Sequence, residues 1–333
     1  MHKTANTVED FMTLMRRTNR RLVPFWEVWF CKFDFCNRHY GPYEKVENRI
    51  KMALDLGMDA VHLFHIDTNS LFGHSSLDGG GESHYDGGLL TSYEQLVRPE
   101  MPDWKKQLRQ IKEDRRKIAD AGLNCWMVLT HCFHAGNISI GLENLSLKMY
   151  DDPDFVHTYF EWVETRSRKA IDDLVAEVMP DFLLFDGDCA FKTGLMVRPE
   201  LYRSFVFEKT QQTVSKLKKL KIPYTFHCDG KVDELLPFLI ELGFSAFHGC
   251  EKAANDLEHL VEKFGDDICL VGNFDVVFLT NSSLSEIRKE TEQMLITGSQ
   301  KGKFIAACNT SPQDYIPDEN YLAFCDVIKN FSK

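Results

Sequence analysis

Eight short apolar runs, separated by longer amphipathic stretches, set the main constraint on how this chain can fold. The runs are Val23–Phe30, Ala60–Ile66, Asn124–His131, Phe182–Asp186, Tyr224–Asp229, Ala246–Glu251, Ile268–Phe274 and Lys303–Asn309. Helical patterns between them include Tyr43–Leu56, Trp104–Ala121, Asp154–Val178, Pro199–Leu220, Val232–Leu242, Leu257–Phe264, Leu284–Thr297 and Asp318–Phe331. Strand alternating with helix along the whole chain predicts βα units and a parallel sheet. Gly57, Gly122 and Gly243 each stand after a helix and before a strand, as αβ loops require. Eight strands with eight helices predict a single α/β domain over residues 1–333, a TIM (β/α)8 barrel. The first strand is followed by no GxGxxG fingerprint, which argues against a Rossmann sheet. A long insertion, Asp67–Asp103, follows the second strand and carries Gly79, Gly80 and Gly81. Such a loop is expected to be a lid, a binding loop or an interaction surface.

A barrel of this length needs a large core, and a hydrophobic fraction of 44% supplies it. The net charge of −11 argues against nucleic acid or an anionic membrane as main partner, since both demand a basic surface. The apolar runs fall short of a membrane span, and Met1 to Arg21 lacks the apolar stretch of a signal peptide. A cytoplasmic location is the expectation. The 10 cysteines are scattered without a CxxC pair, so most are expected to be small buried hydrophobes. A homodimer is compatible with the chain.

In a TIM barrel the C-terminal strand ends face one mouth, where the chemistry takes place. Here the ends are polar. The first strand carries Glu27, the second His62, His65 and Asp67, and the third His131 and His134. Asp186, Asp188 and Lys192 follow the fourth, His227 and Asp229 the fifth, and His248, Cys250 and Glu251 the sixth. Asn273 and Asp275 end the seventh strand, Cys308 and Asn309 the eighth. Glu27 sits among apolar neighbours and needs a polar site or a partner. Of Asp186 and Asp188, one is expected to cap a helix and the other to face the mouth. His131-Cys132-Phe133-His134 is read as one site-facing and one solvent-facing histidine, His131 being the site-facing one.

The fifth strand ends in His227-Cys228-Asp229-Gly230, which packing alone does not require. A metal ion could be held by His227, Cys308 and one of Asp229, Cys228 or Glu251, the nitrogen, sulfur and oxygen donors that zinc accepts. Residues i and i+2 of a strand share a face, so His227 and Asp229 can converge while Cys228 points away. Alternation thus weakens Cys228 and favours Asp229 beside His227 and Cys308 as the expected ligands.

The C-terminal two-thirds of the chain resembles the uroporphyrinogen decarboxylase superfamily, in particular its methyltransferase-like branch. The resemblance runs through Asp188–Pro199, Phe226–Gly230, Phe247–Glu251, Leu270–Asp275 and Cys308–Tyr321, with Val23–Glu27 and Gly141–Asn144 extending it more weakly. It implies a TIM barrel. True uroporphyrinogen decarboxylases carry an arginine-rich segment near the first strand that clamps an acidic substrate; here Glu27 and its neighbours stand instead. Corrinoid-linked methyltransferases of the superfamily often bear His-x-Cys on the fifth strand and Cys on the eighth as zinc ligands, against His227-x-Asp229 and Cys308 here.

The resemblance thus implies an enzyme that moves a methyl group between a small methylated substrate and a corrinoid held by a separate protein, assisted by zinc. The chain lacks the Asp-x-His-x-x-Gly motif that ligates cobalamin, so the corrinoid is expected on a partner. Glu27, Asp188 and Glu251 are expected to orient substrate or manage its proton, and His65, His131, Lys192, Asn273 and Asn309 to bind it. The alternative is a metal-free decarboxylase or lyase on the same barrel, with uroporphyrinogen itself disfavoured as substrate.

Overall fold

Seven parallel strands pair in the order in which the chain visits them around a curled sheet. The structure, a computed structural model, describes residues 7–18, 21–66, 72–77, 83–97, 100 and 103–331. Its first part comprises α1 (Thr7–Arg16), α2 (Phe33–His39), α3 (Val46–Leu56), β1 (Ala60–Ile66), β2 (Gly73–Leu77) and β3 (Ser83–Gly88). Then come α4 (Lys105–Asp120), β4 (Asn124–Thr130), α5 (Cys132–Ile140), α6 (Leu142–Asp151) and α7 (Pro153–Ala170). A π turn, Ile171–Val175, joins α7 to the short α8 (Ala176–Val178). Next are β5 (Phe182–Asp186), β6 (Ala190–Phe191), β7 (Gly194–Leu195), α9 (Pro199–Leu220), β8 (Tyr224–His227), α10 (Leu236–Leu242) and β9 (Ala246–His248). The chain ends with α11 (Leu257–Phe264), β10 (Cys269–Phe274), α12 (Val276–Asn281), α13 (Leu284–Gly298), β11 (Phe304–Cys308) and α14 (Asp318–Asn330). The large sheet runs β1-β4-β5-β8-β9-β10-β11.

The eighth stave differs from the expected strand over Val23–Phe30. Only an isolated bridge, Phe25 to Ala306, pairs it with β11. Trp26 N–H donates to Ala306 O at 3.1 Å and Ala306 N–H to Pro24 O at 2.8 Å, while Asp59 N–H reaches Phe25 O at 2.7 Å before β1. The segment therefore links both edges of the sheet and completes a TIM-like barrel. It does not propagate as a strand because Pro24 has no N–H and the Phe25 N–H is taken by the Asp59 carboxylate at 2.7 Å.

Period-two alternation sorts every stave into an inner and an outer face. Trp26, Val28, Trp126, Val128, Phe182, Leu184, Val271, Ile305 and Ala307 share the interior cluster. Phe25, Leu129, Phe185, Phe226, Phe274, Ala306 and Cys308 belong to the layer beneath the helices. α1, unmarked in a start that reads as polar, adds Val8, Phe11, Met12 and Met15 to the interior cluster. Their i, i+3, i+4, i+7 spacing makes one apolar helix face. Phe11 meets the Phe182 ring edge-on at 5.2 Å, which closes the barrel opposite its mouth.

Part of the 67–103 insertion folds as the antiparallel hairpin β2–β3. It docks on α5 through Tyr85 Oη donating to Ile138 O at 2.8 Å and Leu90 N–H donating to Ser139 O at 2.9 Å. Asp67 and the run Asp78–Glu82 lie outside the described residues. Among the described residues no helix is long and apolar enough to cross a membrane.

Candidate active site

Register aligns the strand ends. Thr130 pairs with Asp186, Asp186 with His227, and His227 with His248, so these residues form one layer at the top of the barrel interior. The backbone continues the alignment past the strands: His131 N–H donates to Asp186 O at 2.7 Å and Gly187 N–H to His227 O at 3.0 Å. Gly187 is needed here, because a Cβ on it would stand 2.1 Å from the Phe226 ring.

His227 and His248 touch through Nδ1 atoms 2.8 Å apart. His248 Nε2 lies 3.2 Å from the Cys308 carbonyl, which can only accept, so this nitrogen carries a proton. Burial, helped by His227, holds His248 well below the usual histidine range, so its Nδ1 is bare and accepts from His227 Nδ1–H. With its Nδ1 against His248, His227 presents Nε2 to the mouth. This nitrogen stands 3.8 Å from Asp188 Oδ1 and 3.9 Å from Asp229 Oδ1, beyond hydrogen-bond reach of either. Trp29 covers the ring edge-on at 4.9 Å.

Asp188 is fixed by the Asp229 N–H, which donates to its Oδ1 at 3.1 Å. Its Oδ2 faces His134 Nδ1 at 3.9 Å, and His134 Nε2 lies 3.6 Å from Asp186 Oδ2. Asp229 is partly exposed, yet its Oδ1 is buried and without a hydrogen bond, as is His134 Nδ1. Burial pushes the Asp229 carboxyl up to about 6; His227 opposes this, and the charges of Asp188, Glu251 and Asp186 add to it. Glu251 accepts from Gly230 N–H at 3.2 Å and pairs with Lys192 at 3.2 Å. Gly230, at φ +90°, lets the β6–β7 hairpin that carries Lys192 pass close, since a Cβ there would meet Ala190 O at 2.8 Å.

Asp188, His227 and Asp229 thus offer donor atoms all within 4.8 Å of one another, and so do His134, Asp186 and Asp188. The His227 Nε2, free of any hydrogen bond, and the orphaned Asp229 oxygen fit a divalent cation, zinc included. Cys308 joins neither group. It lies on the outer face of β11, where burial and the Glu27 carboxylate push its thiol well up. Alternation, which excludes Cys228, excludes Cys308 as well.

The same rule corrects two more expectations. Glu27 falls between the inward Trp26 and Val28, so it points out under α14, where Cys308 N–H and Tyr321 Oη donate to it at 3.0 and 3.2 Å. Burial pushes it up to about 7. His131 follows the inward Thr130 and faces α9, its Nε2 2.9 Å from Thr210 Oγ1. Burial, with His134 adding, drives it down to about 3. With Cys132 and Glu164 it makes a separate, fully buried group. His134, read as solvent-facing, is the histidine that reaches the mouth. Its position in the first turn of α5, four residues past the end of β4, was the available signal.

The remaining residues are scattered. His65 lies exposed near the end of β1. Asn309 Oδ1 accepts from Val276 N–H at 3.1 Å and so caps α12. Asn273 lines a groove of about 420 Å³ with Lys252, Glu290 and Met294.

Residues 125–331 match the family model for uroporphyrinogen decarboxylase (URO-D). The chain belongs to this family. Among solved structures, a methyltransferase from Methanosarcina mazei aligns over 98% of both chains with a TM-score of 0.73 and 16% identity. A GH5-4 broad specificity endoglucanase from Bacteroides salanitronis covers 98% of this chain and 95% of its own, with a TM-score of 0.51 and 10% identity. At these identities the likeness concerns the fold, here the URO-D barrel. No curated protein matches the sequence significantly.

Proposed function

We propose that this URO-D family member is a methyltransferase that moves a methyl group between a small methylated substrate and a corrinoid held by a separate protein. The observation that carries it is His227 Nε2, positioned by the His248 contact and facing both Asp188 and Asp229. Those three residues would hold a divalent cation, zinc being the one the family resemblance implies. When bound, the cation supplies Lewis acidity that lowers the pKa of the heteroatom from which the methyl group leaves. The chain's own residues do the rest. His248 sets the tautomer of His227, Trp29 shields that ring from water, and the Lys192–Glu251 pair stands at the rim to orient substrate. The methyltransferase from Methanosarcina mazei, alike over its whole length, supports the reading.

A large partner also suits the mouth. Phe191 in β6, Val277 at the start of α12 and Tyr315 after β11 are 50%, 65% and 61% exposed on the segments that follow the strand ends. A polycarboxylate such as uroporphyrinogen suits it poorly, because Asp186, Asp188, Asp229 and Glu251 gather there with Lys192 as the adjoining cation. The test is an anaerobic reaction of the zinc-loaded chain with reduced corrinoid protein and methylated alcohols, amines and thiols. Methylation of cobalt, read from the corrinoid absorbance, is the expected result. Release of carbon dioxide from a carboxylic acid at full rate without metal or corrinoid would replace this reading with the decarboxylase one.

A further inference from the structure

The two donor groups at the mouth are not independent, because Asp188 belongs to both. Its carboxylate presents one oxygen to each side: Oδ1 lies 3.8 Å from His227 Nε2, and Oδ2 lies 3.9 Å from His134 Nδ1. Each histidine has a second aspartate beside it, Asp229 at 3.9 Å from His227 and Asp186 at 3.6 Å from His134. The arrangement is a histidine and an aspartate on either side of a shared carboxylate. A bridging carboxylate flanked in this way is how proteins hold two cations a few ångströms apart.

Two further observations point to ligands rather than to an internal hydrogen-bond network. None of the four histidine–carboxylate approaches is short enough for a hydrogen bond, although every partner is within 4 Å. His227 is 4% exposed, with its Nδ1 committed to His248 and its Nε2 facing both carboxylates beyond hydrogen-bond distance. His134 Nδ1 and Asp229 Oδ1 are buried without a partner on either side of Asp188. Buried polar atoms left in this state are rare unless something else satisfies them.

We propose that Asp188 bridges two divalent cations, one held with His227 and Asp229 and the other with His134 and Asp186. The donors are imidazole and carboxylate throughout, with no thiolate, which selects borderline and hard ions such as Zn2+, Mn2+, Fe2+ and Co2+ over soft ones. The proposal rests on the cation site of the function proposed above and adds a second position to it. In that arrangement the heteroatom of the substrate can lie between two positive charges instead of against one.

The test is a Mn2+ titration of the full chain after treatment with chelator, read by bound metal per chain and by low-temperature electron paramagnetic resonance. About two Mn2+ per chain with a spin-coupled multiline spectrum is expected. His134→Gln should reduce this to about one, with an uncoupled six-line signal, and Asp186→Asn should do the same. Each variant is checked for a wild-type circular dichroism spectrum, so that one of the pair serves if the other misfolds. About one uncoupled Mn2+ in the wild type, lost in His227→Gln and kept in His134→Gln, overturns the second position and leaves the first standing. No bound Mn2+, Zn2+ or Co2+ in the wild type overturns both.

Discussion

His227 Nδ1 lies 2.8 Å from His248 Nδ1, and this contact decides which nitrogen of His227 faces the mouth. The order Cys308 C=O, His248, His227 runs from a backbone carbonyl to the nitrogen that faces the mouth. Replacing His248 by Phe keeps the ring against Trp26 but removes the acceptor for His227. Loss of an orienting partner of this kind weakens metal binding about 10- to 100-fold. Isothermal titration with Zn2+ measures it, and an unchanged affinity would show that His227 is oriented by other means.

Glu27 gives the protein a pH signature distinct from the mouth. Its folded-state pKa is raised by burial from 4.5 to about 7. The stability it contributes is therefore fully present below pH 4.5 and is lost as the pH rises through about 7. The loss amounts to about 3 kcal/mol across that window. Urea unfolding at a series of pH values should show this decline in the wild type. In Glu27→Gln the slope between those pH values should flatten, since the amide does not titrate.

Cys308 provides a discriminating substitution. A thiol that faces Glu27 and α14 plays no part in holding a cation at the mouth. Cys308→Ser should therefore bind Zn2+ with the wild-type stoichiometry, while Asp229→Ala loses affinity at least tenfold. The reverse order would return the thiolate to the ligand set.

The apolar rim should govern partner docking without touching the cation. Phe191→Ser combined with Val277→Ser removes two apolar side chains, at least half exposed, from the segments beyond the strand ends. Interface anchors of this type typically contribute more than about 1 kcal/mol each. The double variant should raise the KM for the corrinoid protein about tenfold or more, with metal content and circular dichroism unchanged. An unchanged KM would move the docking surface elsewhere.

Much of the barrel is legible in the sequence because β and α periodicities differ. The strands Ala60–Ile66 and Phe182–Asp186 and the helices Pro199–Leu220 and Leu257–Phe264 have the boundaries that the apolar runs and the helical patterns predict. The segment 23–30 escapes this rule, since its pairing depends on Asp59, a residue far along the chain. α1 escapes for another reason. Its apolar stripe is four residues wide and becomes significant only inside the barrel that it plugs.

The sequence by itself determined that polar residues end the strands and that His227 and Asp229 share a side, because alternation is a local property of extended chain. It could equally have placed Glu27, His131 and Cys308 on the outer face, had the same alternation been carried back from the apolar residues beside them. What only the tertiary structure decided is which residues meet across strands. Register puts His248 against His227, and the first turn of α5 swings His134 back over Asp186 and Asp188. Those contacts depend on how neighbouring strands and helices stagger, a quantity set by packing of the whole barrel rather than by any one segment.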